Sequence, residues 1–201
     1  SSSVTGNTEV YPNGWYRISC TNLSAGAGWS SIVFYENDNI NTSGHPEHSV
    51  APDGVSGAYI WGIQWEPNPY PTSVIIASGN DTTRAADVYT STANLTETFE
   101  PKGLLIEEAR TNTATKSHTP HGSDWTKYRL TTPTVSQITP MGTTENVAQL
   151  TEDTTANMNH YQYHNTVSST SSSGTCLSIF AKPLRTDRDL MIRIVGIGGS
   201  S

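Results

Sequence analysis

The sequence predicts an all-β chain, a β-sandwich and most simply a jelly roll. Three observations lead there. Apolar runs recur at strand length, divided by clusters of Gly, Pro, Asn, Asp and Ser. No window carries a convincing helical stripe; the best, around Ala109, is broken at once by Thr-rich sequence. Charged residues make up only 14% of the 201, too few for the solvent-facing side of long helices. Many short strands with almost no helix are most simply packed as two sheets face to face.

Taken in order, residues 15–20 alternate, with Tyr16, Ile18 and Cys20 on one face and Trp15, Arg17 and Ser19 on the other. The Tyr16 face is the one expected to look inward, which would bury Cys20. Residues 31–35 are β-branched and aromatic. The Asn-rich stretch 36–44 reads as a loop. Residues 58–65 form the strongest strand, with Tyr59, Trp61, Ile63 and Trp65 expected on one face and Trp61 in the core. A short apolar strand is expected at 73–77, after the Pro-rich stretch 67–71, and another run lies at 104–106. Further strands are expected at 135–138, 147–150, 160–167, 176–181 and 190–195. Residues 82–102 are polar with few strand signals and read as a linker.

Composition narrows the function classes. The net charge is −7, and the eleven Lys and Arg are scattered, which opposes a nucleic-acid footprint. No apolar run approaches the ~20 residues of a membrane-spanning helix. Residues 1–10 are polar and do not read as a signal peptide. The Ser/Thr-rich, Lys-poor composition suits secreted or virion all-β proteins. Cys20 and Cys176 are too few for a disulfide framework or a thiolate zinc site. They are expected as buried small hydrophobes.

At residues 103–112, the segment Gly-Leu-Leu-Ile-Glu-Glu-Ala-Arg-Thr-Asn resembles the opening of jelly-roll modules from bacteriophage tail fibres and related virion proteins. Further pieces resemble the same modules in order: Trp125-Thr126-Lys127, the stretch 146–153, His160 to Tyr163, and Leu177 to Lys182. The first half of the chain resembles the module's end, in Gly14-Trp15-Tyr16-Arg17, the stretch 57–64, Pro71-Thr72-Ser73 and Thr83-Arg84-Ala85-Ala86-Asp87. The resemblance implies a concanavalin A-like or carbohydrate-binding-module-like sandwich in an extracellular or virion fibre. It implies no shared catalytic site.

The order is reversed with respect to that family. Residues 1–90 correspond to the closing half of a module, 91–102 to a linker, and 103–201 to the opening half. Two arrangements satisfy the strand edges: a permuted jelly roll within one chain, or halves completed by strands of neighbouring copies, head-to-tail or in tandem. The polar linker favours exchange or tandem succession.

Candidate chemistry is sparse. His45 with His48, His118 with His121, and His160 with His164 do not reproduce a metal-ligand spacing; in a strand the last pair lies about 13 Å apart. Glu107 and Glu108 are adjacent and point to opposite faces of a strand, so one of them is expected to pair with Arg110. Glu36 with Asp38, and Glu152 with Asp153, read as ordinary acidic turns rather than calcium loops. The sequons at Asn22, Asn41, Asn80 and Asn94 are matches that a Ser/Thr-rich chain produces by chance. No nucleophile elbow or phosphate loop occurs, so no catalytic residue, metal or cofactor is assigned. Aromatics remain, because pyranose C–H groups pack on Trp and Tyr rings. Trp29, Trp65, Tyr70, Trp125, Tyr161 and Tyr163 are the candidates for touching a glycan. The leading expectation is a non-enzymatic structural module of a fibre, associating with copies of itself. A glycan-binding module for host-surface attachment is the alternative, with a glycan-degrading enzyme less favoured.

Overall fold

The computed structural model describes residues 5–23, 30–36, 53–88, 107–118, 120, 125–155, 160–164, 174–185 and 190–196. Among them the chain is all-β, and the one helical element is a 3-10 turn at Pro12–Gly14. The strands are β1 (Thr5–Tyr11), β2 (Trp15–Leu23), β3 (Ser30–Glu36), β4 (Gly57–Glu66), β5 (Thr82–Arg84), β6 (Arg110–Asn112), β7 (Trp125–Tyr128), β8 (Leu130–Thr131), β9 (Thr134–Ile138), β10 (Thr144–Glu152), β11 (Tyr161–His164), β12 (Thr175–Pro183) and β13 (Leu190–Gly196).

A seven-stranded antiparallel sheet runs β1-β2-β12-β4-β10-β8, with β9 also on β10. A second sheet runs β13-β3-β11-β7, and β5 pairs with β6. Strands from the first half of the sequence are interleaved with strands from the second in both large sheets. Thus β12 lies between β2 and β4, and β3 lies between β13 and β11. The pairings that exchange would assign to neighbouring copies are made here within one chain.

The strand β4 is buried on both faces, which is why it reads as a near-continuous apolar run. Its two faces are not the ones that simple alternation predicts. Opposite β12, Ser178 pairs with Gln64 and Phe180 with Trp61, so two residues of β4, Gly62 and Ile63, face one of β12, Ile179. The extra residue is a β-bulge, and Gly62 takes it with φ of 62°. The bulge reverses the alternation. Tyr59 and Trp61 stay on one face, packed with Trp15, Val147, Phe180, Val74 and Ile76. Ile63 and Trp65 turn to the other face and join Ala58, Ile60, Leu150, Leu177 and Ile179. The second sheet reaches this face through Trp125, which makes the architecture a sandwich. Trp61 is core, 1% exposed, as its strand predicts.

Other expectations are corrected. In β2 the fully buried face is that of Trp15, Arg17 and Ser19, while Tyr16 is 39% exposed. The indole of Trp15 donates to the Ile138 carbonyl (2.8 Å), so this face leans on β9. Cys20 is half-buried and Cys176 buried, both as free thiols. Burial, with Glu66 adding to it and Arg17 opposing, pushes the Cys176 thiol up to about 12. Residues 73–77 are apolar but form no strand. Their amides go instead to side chains: Ser73 to Glu107, Ile75 to Gln64 and Ala77 to Ser117. The polar N-terminal stretch, in contrast, is a strand, β1, and Thr5 to Val10 are all exposed. The run 104–106 and the linker 91–102 lie outside the described residues.

One buried side chain completes the edge of β4 beyond the reach of β10, whose pairing stops at Ile60. Asn112, fully buried, accepts from the amides of Trp65 (3.0 Å) and Ala114 (2.9 Å) through Oδ1. Its Nδ2 donates to the carbonyls of Ile63 (2.9 Å) and Ile75 (2.7 Å). Replacing it with Ala leaves four buried backbone groups without partners, each worth about 1–3 kcal/mol. Asn112→Ala is therefore expected to lower unfolding stability by about 4 kcal/mol or more, with an unchanged denaturant slope, in urea titration followed by tryptophan fluorescence.

Candidate functional site

Several carboxylates among the described residues hold loops. Glu66, fully buried on the Trp61 face, accepts from Gln64 Nε2 (3.0 Å), the Thr72 amide (3.1 Å) and the Thr72 hydroxyl (2.5 Å). Beside it, Arg17 donates to the Thr72 carbonyl (2.6 Å) and to Ser178 (3.1 Å). Glu107 and Glu108 each hold an arginine, Arg84 at 3.2 Å and Arg110 at 2.8 Å. The second of these is the pairing expected for Arg110. The segments resembling the module's end and opening meet here. Arg84 pairs with Arg110 in the β5–β6 ladder, and Asp87 and Glu107 exchange hydrogen bonds (2.9 and 3.0 Å).

The acidic pair Glu152-Asp153 serves turns. Glu152 accepts from the Asp53 amide (2.8 Å), while Asp153 accepts from the Thr155 amide (2.8 Å) and meets His160 Nε2 at 3.1 Å. Asp53 caps its own turn through Val55 N, Ser56 N and Ser56 Oγ. Among the described residues no three His, Cys, Asp or Glu side chains converge on a metal site. His45, His48 and His121 lie outside the described residues, as do Trp29 and the side chain of Tyr163.

The remaining aromatic candidates divide by burial. Trp65 and Trp125 are each 2% exposed and fill the sandwich core, where no ring face is open to a sugar. Tyr70 is 54% exposed in the loop after β4, its hydroxyl 3.4 Å from Arg110 Nη2. Tyr161 is half-buried on β11 and stacks on Tyr128 of the neighbouring edge strand β7, ring centroids 5.1 Å apart and planes 23° apart. Register makes the pair: Tyr161 sits directly opposite Tyr128. Tyr128 is 38% exposed, and the Arg129 guanidinium lies 5.0 Å from its ring centroid.

Arg129 is the corner where the chain leaves the second sheet (β7) for the large one (β8). It makes that turn in the left-handed region, φ 56°, at a cost of about 1–2 kcal/mol for a residue with a side chain. Its carbonyl accepts from the Asp153 amide (3.1 Å), which pins the corner. A stacked tyrosine pair with a cation at its rim, on a rigid sheet, can pack an apolar sugar face and hydrogen-bond its hydroxyls. The sequence names Tyr161 and Tyr70 as candidates; the structure sets Tyr128 and Arg129, which the sequence does not name, beside Tyr161. The available signal was the aromatic between two cations in Lys127-Tyr128-Arg129.

Burial acts to raise the Asp53 carboxyl, but its hydrogen bonds from Val55 and Ser56 outweigh it and hold the group well below the usual carboxylate range. A depressed folded value contributes stability above the unfolded value, near 3.9, that is lost as pH falls through the folded one. Asp53→Ala is expected to cost about 1–2 kcal/mol near neutral pH. The deficit should shrink as chemical denaturation is repeated at pH values stepping down below 4.

No family model matches the chain, and no curated protein or solved structure matches it.

Proposed function

We propose that the chain is a non-enzymatic jelly-roll module of an extracellular or virion fibre, and that its task is to hold surface glycans on the Tyr128–Tyr161 stack. The stack itself carries the reading. Two rings are aligned by strand register on an edge of the sandwich, Tyr128 exposed and Tyr161 half-buried, and they are flanked by a cation instead of being sealed in the core. The likeness to tail-fibre modules supports the virion setting. The within-chain pairing of both halves supports a permuted module that carries a site of its own.

A second reading, association with copies of the same chain, is favoured by β1. It forms one border of the large sheet, its residues Thr5 to Val10 are exposed, and Glu9 is its one charge. Natural edge strands are usually blunted with charges or proline. Sedimentation over a concentration series tests it: association abolished by a proline placed in β1 supports strand addition, and a persistent monomer rejects it.

The glycan reading is tested on a panel of immobilised bacterial surface polysaccharides. Tyr128→Ala and Tyr161→Ala are each expected to weaken binding on the order of tenfold, about 1.4 kcal/mol, with melting temperature little changed. Tyr16→Ala, an equally exposed ring on β2, should leave binding intact.

A further inference from the structure

We infer that the glycan taken by this stack is an acidic one, and that the Arg129 guanidinium holds its carboxylate. The inference rests on the glycan reading above and adds the ligand's charge. Its first support is pairing. Carboxylates outnumber Lys and Arg 18 to 11 in this chain, so a cation does not go unpaired for want of partners. Arg84, Arg110 and Arg185 each hold a carboxylate, and the buried Arg17 donates to Thr72 and Ser178. Arg129 has no ion pair or side-chain hydrogen bond among the described residues, and its Nε is buried without an acceptor.

The second support is geometric. Arg129 occupies a left-handed corner that Gly or Asn would fill with less strain, so the backbone alone does not call for arginine. The third is its position over Tyr128. With no side-chain hydrogen bond made among the described residues, the terminal N–H groups of Arg129 are available to a carboxylate, which can accept two parallel hydrogen bonds from such a fork. In a uronic or sialic acid the carboxylate is borne on the sugar ring. One residue of such a polymer can therefore lay its C–H face against the tyrosines while its carboxylate meets Arg129.

The test uses the full chain with four polymers: alginate and polysialic acid as carboxylated probes, dextran sulfate as a sulfated one, and dextran as a neutral one. The expected result is preferential binding of a carboxylated polymer, weakening as salt rises. Arg129→Gln should lower that affinity tenfold or more. Arg129→Gly should lose it equally while melting at the same or a higher temperature, which separates recognition from folding. Arg129→Lys should recover only part, because the fork is lost. Lys127→Gln, on the opposite side of β7 by strand alternation, should change little. Wild-type affinity in both the Gln and Gly variants overturns the inference, and so does binding of dextran sulfate at least as tight as that of the carboxylated polymers. Tyrosine-dependent binding of dextran alone overturns it but leaves the glycan reading standing. Absence of binding to every polymer here and to the surface polysaccharide panel overturns both.

Discussion

A strand buried on both faces can leave no backbone group unpaired without a penalty of a few kcal/mol, and β4 is such a strand. On one side β12 pairs it along most of its length; on the other β10 stops at Ile60. The gap is closed by residues 112–117: Ser117 accepts from the Ile63 amide, Thr113 donates to the Trp65 carbonyl, and Asn112 serves both strand and neighbouring loop. Closing that gap fixes much else. It anchors β6, which carries β5, and the Arg84–Glu107 pair ties the start of the crossing between halves to its end. The loop 73–77 is drawn in as well, because Asn112 and Ser117 also bond Ile75 and Ala77.

Much of the fold was legible because apolar alternation marks a strand with one buried face; β2, β9 and β10 were found this way. Three things were hidden. The bulge at Gly62 is a backbone event inside an unbroken apolar run, so the faces of Ile63 and Trp65 could not be read from spacing. β1 is exposed on both faces and carries no hydrophobic period. Residues 73–77 have strand-like composition, yet side chains satisfy their amides. The candidate site was half legible for a related reason. An aromatic residue declares its bulk in the sequence but not its face. Trp65 and Trp125 went inward, whereas the Tyr128–Tyr161 contact depends on a register between β7 and β11 that no local pattern encodes.

The chain's negative charge is distributed with economy. Asp53, Glu66, Glu107, Glu152 and Asp153 each accept at least one backbone amide, which a helix-poor chain with many irregular turns must satisfy somehow. Three of these carboxylates hold a cation as well: Asp53 meets Arg185, Glu107 meets Arg84 and Asp153 meets His160. Arg129, with no ion pair among the described residues, stands apart from Arg84, Arg110 and Arg185.

The place of β12 has a consequence for how the protein comes into being. Its neighbours β2 and β4 belong to the first third of the sequence, yet they are not neighbours of each other; a strand that ends at Pro183 separates them. During synthesis the edges of β2 and β4 that face β12 stay unpaired until that strand has emerged. Such late, long-range closure makes for slow folding and a long window for misassociation. A polar, weakly charged early half, with apolar runs kept short by Gly and Pro, is suited to endure that wait in soluble form. The same geometry makes the finished sandwich hard to open from either end, because the strand that holds its middle is flanked on both sides by strands laid down long before it.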